Sequence, residues 1–250
     1  MNVSIYQAAA GLGATNQWQE ILAENLAASS IPGFKRQELS FSAVQAGVMA
    51  GGANPGVGAQ AVAIPKVTAT TNFAQGEMRF TGAKTDLGIE GNAFFEVQLP
   101  GGQTGYTRDG EFHVTAAGQV VTKQGFPVLG DNGPIQIDPR NPAPLTISAK
   151  GDITQGIEPK GKVKLVGFDD PQKLTRASGG FYLANGADAQ PTAAPEATVR
   201  QGYLETSNVT PVLEMAHLMS SMRGFEANQR MIQLHDERMQ RAITELGSPN

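Results

Sequence analysis

The sequence predicts an α+β protein: a central all-β domain whose N- and C-terminal helices pair into a coiled-coil-like layer. Three observations predict it. Apolar residues recur at helical spacing at both ends of the 250-residue chain. The middle alternates apolar and polar residues in short runs parted by turn residues. Gly (30) and Pro (15) are abundant while aromatics make up only 6%, a mixture suited to turn-rich β structure. The expected division is residues 1–40 for the N-terminal helix of an inner helical layer, 41–75 for an extended linker, 76–203 for the β domain and 204–250 for the C-terminal helix of the same layer.

The first helix is expected from residue 4 to about residue 30. Ile5, Leu12 and Leu26 lie seven or fourteen apart, with Ala8 and Leu22 on the same side. Ser4 and Gln7 have capping-box spacing. Pro32-Gly33 stops the helix, because the residue before a proline is pushed out of the α region. Residues 41–75 show no clear period. The run 46–58 holds five glycines and one proline and reads as flexible or extended, whereas 61–71 leans towards strand.

The β domain is read from alternation. Phe95, Val97 and Leu99 alternate, 100–103 offers a turn, and Tyr106 and Arg108 continue, as in a hairpin. Phe112 and Val114 alternate, 116–118 turns, and Val120-Val121 follows. Further strands are expected at 125–129, 145–147 and 163–168. Turn signals about every ten residues fit a sandwich or barrel.

The last segment is the clearest. Thr210-Pro211 starts a helix: a hydroxyl cap, then a proline whose missing N–H matters least at the first position. Glu214 places a negative charge in the first turn. Leu218, Phe225, Ile232, Met239 and Leu246 fall seven apart, flanked by Met215, Met222 and Ile243, and Gly247 closes the helix. Five beats of a seven-residue repeat make a coiled-coil type of seam.

A helix over 211–246 is about 54 Å long, and its stripe needs a partner. The N-terminal helix is shorter and offers mostly Ala and Leu. Each large side chain left in water forfeits roughly 1.5–3 kcal/mol. Other copies of the chain would bury the remainder, and head-to-tail contacts that do not close give a tube or filament. The expected assembly interface is Ile5, Leu12, Leu22, Leu26, Met215, Leu218, Met222, Phe225, Ile232, Met239 and Leu246. The methionines at 215, 219, 222, 231 and 239 read as packing residues, adaptable to non-identical neighbours.

Catalytic chemistry has no constellation to rest on, and the chain is not expected to be an enzyme. Without cysteine there is no disulfide, zinc knuckle or thiol nucleophile. His113 falls on an expected surface strand, and His217 and His235 are five turns apart on one helix. No metalloprotease, Walker or Gly-x-Ser-x-Gly pattern occurs. Gly11-Leu-Gly13 has no preceding strand and is no nucleotide loop. Asp131-Asn132-Gly133 and Asp169-Asp170 have turn chemistry. Asn2-Val-Ser4 and Asn208-Val-Thr210 match the glycosylation pattern, but a cap or turn role is expected. No catalytic, cofactor-binding or metal residues are assigned, and no cofactor. A net charge of −4 with no basic run argues against nucleic acid. No run approaches 18 apolar residues, so no membrane insertion is expected. The N-terminus lacks a cleavable secretory pattern.

Several blocks carry a resemblance. Asn25-Leu-Ala-Ala-Ser-Ser-Ile-Pro-Gly-Phe-Lys35 resembles the N-terminal signature of bacterial flagellar rod and hook proteins, approximately Asn-x-Ala-Asn-x-x-Thr-x-Gly-Phe/Tyr-Lys. Asn25, Ala27, Gly33, Phe34 and Lys35 match, while Ala28 stands for the usual second Asn and Ile31 for the usual Thr. Residues 88–97, 106–112, 118–122 and 125–129 resemble the β domain of the rod proteins. Residues 201–209 and 222–228 are similar to the family's closing segment. The blocks follow the family's order over nearly the whole chain.

The resemblance implies a structural subunit of the flagellar basal-body rod. Both termini would line a tube as a helical layer, with the β domain outside. Subunits would leave the cytoplasm unfolded through the flagellar type III export apparatus, and the polymer would be a drive shaft crossing the periplasm. Partners would be other copies of the chain and neighbouring rod and hook proteins. The single β domain favours rod over hook. Length and the Tyr6-containing start lean to the proximal rod type, and blocks 88–112 and 201–209 to the distal, so both stay open. The rival reading is a β-domain binding module for a cell-wall polymer, with helices that only oligomerise it.

Overall fold

Two helices, α1 (Val3–Ala27) and α2 (Pro211–Gly247), flank a chain otherwise made of short strands. The computed structural model describes residues 3–49, 60–186 and 189–247. The arrangement is α+β. Helix α2 starts at Pro211 directly after Thr210, whose backbone carbonyl accepts from the amides of Leu213 (3.0 Å) and Glu214 (3.1 Å). Helix α1 ends at Ala27, where a turn closes with the Ile31 amide donating to the Ala28 carbonyl ahead of Pro32.

The segment read as an extended linker holds two strands, β1 (Gln37–Met49) and β2 (Gln60–Thr71), paired into a two-stranded ribbon. Ser42 Oγ approaches the Lys66 carbonyl at 3.4 Å and Thr70 Oγ1 the Glu38 carbonyl at 3.5 Å. Position rises along β1 as it falls along β2, the sense of a hairpin. The strand-leaning run 61–71 lies in β2, and 50–58 of the glycine-rich run lie outside the described residues.

The chain divides into two compact units. The first comprises Met1–Ala27, Gln37–Thr70 and Thr210–Asn250, and so contains α1, α2 and the ribbon. The second comprises Ala28–Arg36 and Thr71–Val209. It opens with β3 (Met78–Phe80), β4 (Leu87–Glu90), β5 (Phe94–Gln98) and β6 (Thr104–Thr107). The hairpin expected around 100–103 is β5–β6, with Phe95 opposite Thr107, Gln98 opposite Thr104 and a 3-10 turn at Pro100–Gly102. These two strands centre a six-stranded antiparallel sheet in the order 175–177, 181–183, β6, β5, 165–167, 192–193. Phe112–Val114 pairs with Val120–Thr122, and Leu145–Ile147 is also a strand, both as read. Of 125–129, only Leu129 falls in a strand, although Val128 and Pro127 form bridges.

Strand β5 departs from simple alternation: Phe94, Phe95, Glu96 and Val97 are all buried. The sheet has a core on each face. Phe95 and Val97 join Leu87, Ile89, Phe112, Val128 and Val163 in one cluster, while Phe94 joins Tyr106, Val166, Leu174 and Tyr182 in another. Successive side chains point to opposite faces of a strand, so each core takes every second residue. Among the described residues, all three apolar clusters lie in the second unit. Among the residues of the first unit whose burial is described, the buried apolar ones are Ala14, Ile21 and Leu22.

Candidate functional site

Within the first unit α1 and α2 lie alongside each other. Two contacts give an antiparallel register. Asn25 Nδ2 donates to Glu214 Oε2 at 3.3 Å, and a Cβ on Gly11 would sit 4.0 Å from Asn228 Nδ2. On α2 the row Glu214, Leu218, Ser221, Phe225 and Ile232 is buried or half-buried. Its spacing of three, four and seven keeps it on one side of a helix. The residues expected to assemble therefore separate into groups. Leu218, Phe225 and Ile232 share this row, and Leu22 is buried with Leu12 and Leu26 half-buried. Met215, Met222 and Met239 are exposed. The side chains of Ile5 and Leu246 lie outside those described. Sequence reading missed Ala14 and Ile21, which keep the seven-residue step in a register offset from Ile5 and Leu12.

Asn25, the first residue of the family-like signature, is buried and treats Gln37 as a neighbouring strand would. Its Oδ1 accepts from the Gln37 amide and its Nδ2 donates to the Gln37 carbonyl, both at 2.9 Å. The buried Glu214 carboxylate takes the same Nδ2. One side chain thus ties the end of α1 to the start of β1 and to the first turn of α2.

The other end of the signature belongs to the second unit and to a buried ion cluster. Lys35 Nζ donates to Glu205 Oε1 at 2.5 Å and to the Ala74 carbonyl at 2.7 Å. Arg108 Nε donates to Glu205 Oε2 at 2.8 Å, and its Nη1 to the carbonyls of Gly91 (2.9 Å) and Ala93 (2.8 Å). The Gly76 amide adds a bond of 2.8 Å to Glu205 Oε1. Lys35, Arg108 and Glu205 are 0%, 3% and 1% exposed. Buried charges persist only when paired and hydrogen-bonded, and here every partner is in place. Burial pushes the Lys35 ammonium below its ordinary range; Glu205 opposes this and Arg108 adds to it. Gly33 completes the fit. Its φ is +67°, and a Cβ there would lie 2.3 Å from the Arg108 carbonyl carbon. Its amide donates to the Glu205 carbonyl at 2.7 Å. Three separate sequence blocks, around Lys35, Arg108 and Glu205, therefore converge on one carboxylate.

Beside the cluster, burial raises the Asp109 carboxyl to about 6. Ala28 and Ile31, the two departures from the signature, pack with Phe34 and Val209 in an apolar cluster, so packing takes the place of polar side-chain bonds there. Arg176 covers the Phe34 ring at 4.3 Å. Asn208, expected in a cap or turn, instead ties segments distant in sequence: its Oδ1 accepts from the Arg36 amide (2.7 Å) and its Nδ2 donates to the carbonyls of Asn72 (2.8 Å) and Ala74 (3.0 Å). His113 is exposed, as read.

Comparison with known proteins bears on the same blocks. Residues 88–155 match a family model described as the flagellar hook protein FlgE/F/G D1 domain. Residues 200–245 match the flagellar basal body rod FlgEFG protein C-terminal model. The chain is 35% identical over 234 residues to the flagellar basal-body rod protein FlgF of Caulobacter vibrioides, covering 92% of each. It is 32% identical over 255 residues to FlgF of Salmonella typhimurium, covering 97% of each. To the rod protein FlgG of the same Caulobacter it is 28% identical over 258 residues, covering 93% of this chain and 95% of that one.

Proposed function

The chain belongs to the flagellar basal-body rod protein family, and from that premise we propose that it polymerises through α1 and α2 into the drive shaft that crosses the periplasm. As a family member it is a structural protein of the flagellar basal body. One observation carries the finer reading: α2 leaves Val212, Met215, Met219, Met222, Met231 and Leu234 exposed although α1 is already beside it. Each such side chain gains roughly 1.5–3 kcal/mol when a neighbour covers it. Helix α1 supports the reading, since Glu20 and Glu24 are its only charged residues, and a helix with so little charge is built for burial.

Its partners are then other copies of the chain and adjoining rod and hook proteins, met after delivery from the cytoplasm by the flagellar type III export apparatus. Within Caulobacter the identity is higher to FlgF than to FlgG, which supports an FlgF-type position. The chain is expected to restore swimming to cells lacking FlgF and not to cells lacking FlgG. Phe225→Asp with Ile232→Asp is expected to abolish incorporation into the basal body while the second unit keeps its near-ultraviolet circular dichroism. Normal swimming with that variant would overturn the reading.

The wall-binding alternative has one observation in its favour. Phe80 is 68% exposed and its ring lies 5.1 Å from that of Tyr203, a surface on which a sugar ring can stack. Retention of the chain on purified cell-wall polymer, lost with Phe80→Ala, would favour it.

A further inference from the structure

The buried ion cluster holds one positive charge more than it balances. Lys35 and Arg108 share the single carboxylate of Glu205. The carboxylates of the adjoining strands β4 and β5 are taken elsewhere: Glu90 pairs with Arg200 at 3.0 Å and Glu96 with Lys164 at 2.8 Å. Arg108 also has a donor to spare. A guanidinium carries five N–H groups. The Nε–H goes to Glu205, the two on Nη1 go to the carbonyls of Gly91 and Ala93, and one on Nη2 reaches the Ile89 carbonyl at 3.4 Å. The fifth, also on Nη2, has no partner among the described residues. Arg108 is buried, and an unpaired donor on a buried charged group is costly.

Arg108 lines a cavity of about 250 Å³ within the second unit. Phe73, Phe94, Phe168 and Pro171 form apolar walls, and the exposed Asn92 also borders it. The Phe94 ring meets those of Phe73 (5.8 Å) and Phe168 (5.7 Å) edge to face. Among the lining residues described, Arg108 alone is charged. Asp169 and Asp170 follow Phe168 in sequence but are exposed, and Asp170 Oδ1 accepts from the Gln172 amide at 3.1 Å. Pockets for drug-sized ligands span roughly 300–1,000 Å³, so this smaller space suits one ring with a short tail.

We propose that this cavity binds a small monocarboxylic acid bearing one aromatic ring. The ring packs among Phe73, Phe94 and Phe168, in the offset or edge-on contacts that aromatic pairs prefer. The carboxylate takes the spare Nη2–H of Arg108 and the side-chain amide of Asn92. It thereby supplies the negative charge that Glu205 alone does not, through a hydrogen bond that charge strengthens. An amine would meet a cluster of its own sign, and a phosphate would need more donors than the two on offer. The site lies outside the two helices and does not depend on the rod reading.

The probe is 3-phenylpropionate, titrated into the full chain at neutral pH and followed by NMR. Its control is 3-phenylpropionamide, of the same shape without the charge. The acid is expected to bind roughly tenfold or more tightly than the amide, the least that a hydrogen bond to a charged group supplies, and to shift the ring resonances of Phe73 and Phe168. Asn92→Trp alters an exposed residue and leaves the core alone. It is expected to obstruct the cavity and weaken acid binding by roughly tenfold or more. Lys35→Met removes the excess charge without changing a cavity wall, and is expected to cut the acid's advantage severalfold. Equal affinity for acid and amide overturns the proposal, and so does acid binding that Asn92→Trp leaves unchanged. An advantage undiminished in folded Lys35→Met overturns it as well. Should Lys35→Met fail to fold, the acid–amide comparison and Asn92→Trp decide between them.

Discussion

Glu205 balances two cations where there is no solvent to help. Glu205→Ala would leave Lys35 and Arg108 buried side by side, and breaking a buried ion cluster in this way costs about 3–5 kcal/mol. Lys35→Met leaves the neutral Arg108–Glu205 pair intact and should cost clearly less in urea unfolding. The reverse order would remove the account of the cluster given above. Asp109 makes a pH-dependent prediction. Burial raises its carboxyl from 3.8 to about 6, so between those values the folded chain binds a proton that the unfolded chain has released. Asp109 therefore lowers stability as pH rises from about 4 to 6, and the loss is complete above that window. Asp109→Asn keeps an Oδ1 to accept the Glu111 amide, a bond of 3.0 Å in the parent. The variant should be more stable than the parent at pH 7 by up to ~3 kcal/mol, with the gain fading towards pH 4. A gain independent of pH would mean that the charge is not the cause.

At the scale of elements, the junction of α1, β1 and α2 depends on Asn25. Asn25→Ala removes the two bonds to Gln37 and should cost about 1–3 kcal/mol, with faster hydrogen exchange at the Gln37 amide. Asn25→Asp should be at least as damaging, because it sets a second carboxylate against Glu214 in a buried site; an innocuous Asp would show that Glu214 does not depend on Asn25. The elements differ in how openly the sequence announces them. Helix α2 was legible because Thr210-Pro211 and a seven-residue beat are local signals, and so was the β5–β6 hairpin. The β1–β2 ribbon was not, because its glycine-rich approach breaks any period. The two-sided burial of Phe94–Val97 was hidden, since a strand's second face shows only once another layer covers it. Lys35, Arg108 and Glu205 were visible as members of family-like blocks, but no local pattern says that charges so distant in sequence share one site. Spacing placed Met215 and Met222 beside the seam, but it does not say that the register with α1 turns them outward.

For the whole molecule, the uneven distribution of core sets the expected dynamics. Among the described residues the second unit holds every apolar cluster, whereas Ala14, Ile21 and Leu22 are the fully buried apolar residues of the first. Those three side chains alone do not offset the roughly 1–2 kcal/mol per residue that ordering a backbone costs. Helices of this kind gain most of their stability from tertiary packing rather than from propensity. The exposed face of α2 then has two consequences. On the proposed function, it leaves the free chain with a loosely held first unit and reserves for assembly the burial that would order that unit. Hydrogen exchange separates the units. In the free chain, amides of β5 and β6 should be strongly protected, while those of α1 and α2 should exchange within minutes. In isolated basal bodies the same α1 and α2 amides should slow by several orders of magnitude, because local opening would then require breaking contacts with neighbouring copies. Strong protection of α1 in the free chain would mean that the first unit closes its own core, and the physical reason for expecting a polymer would be gone.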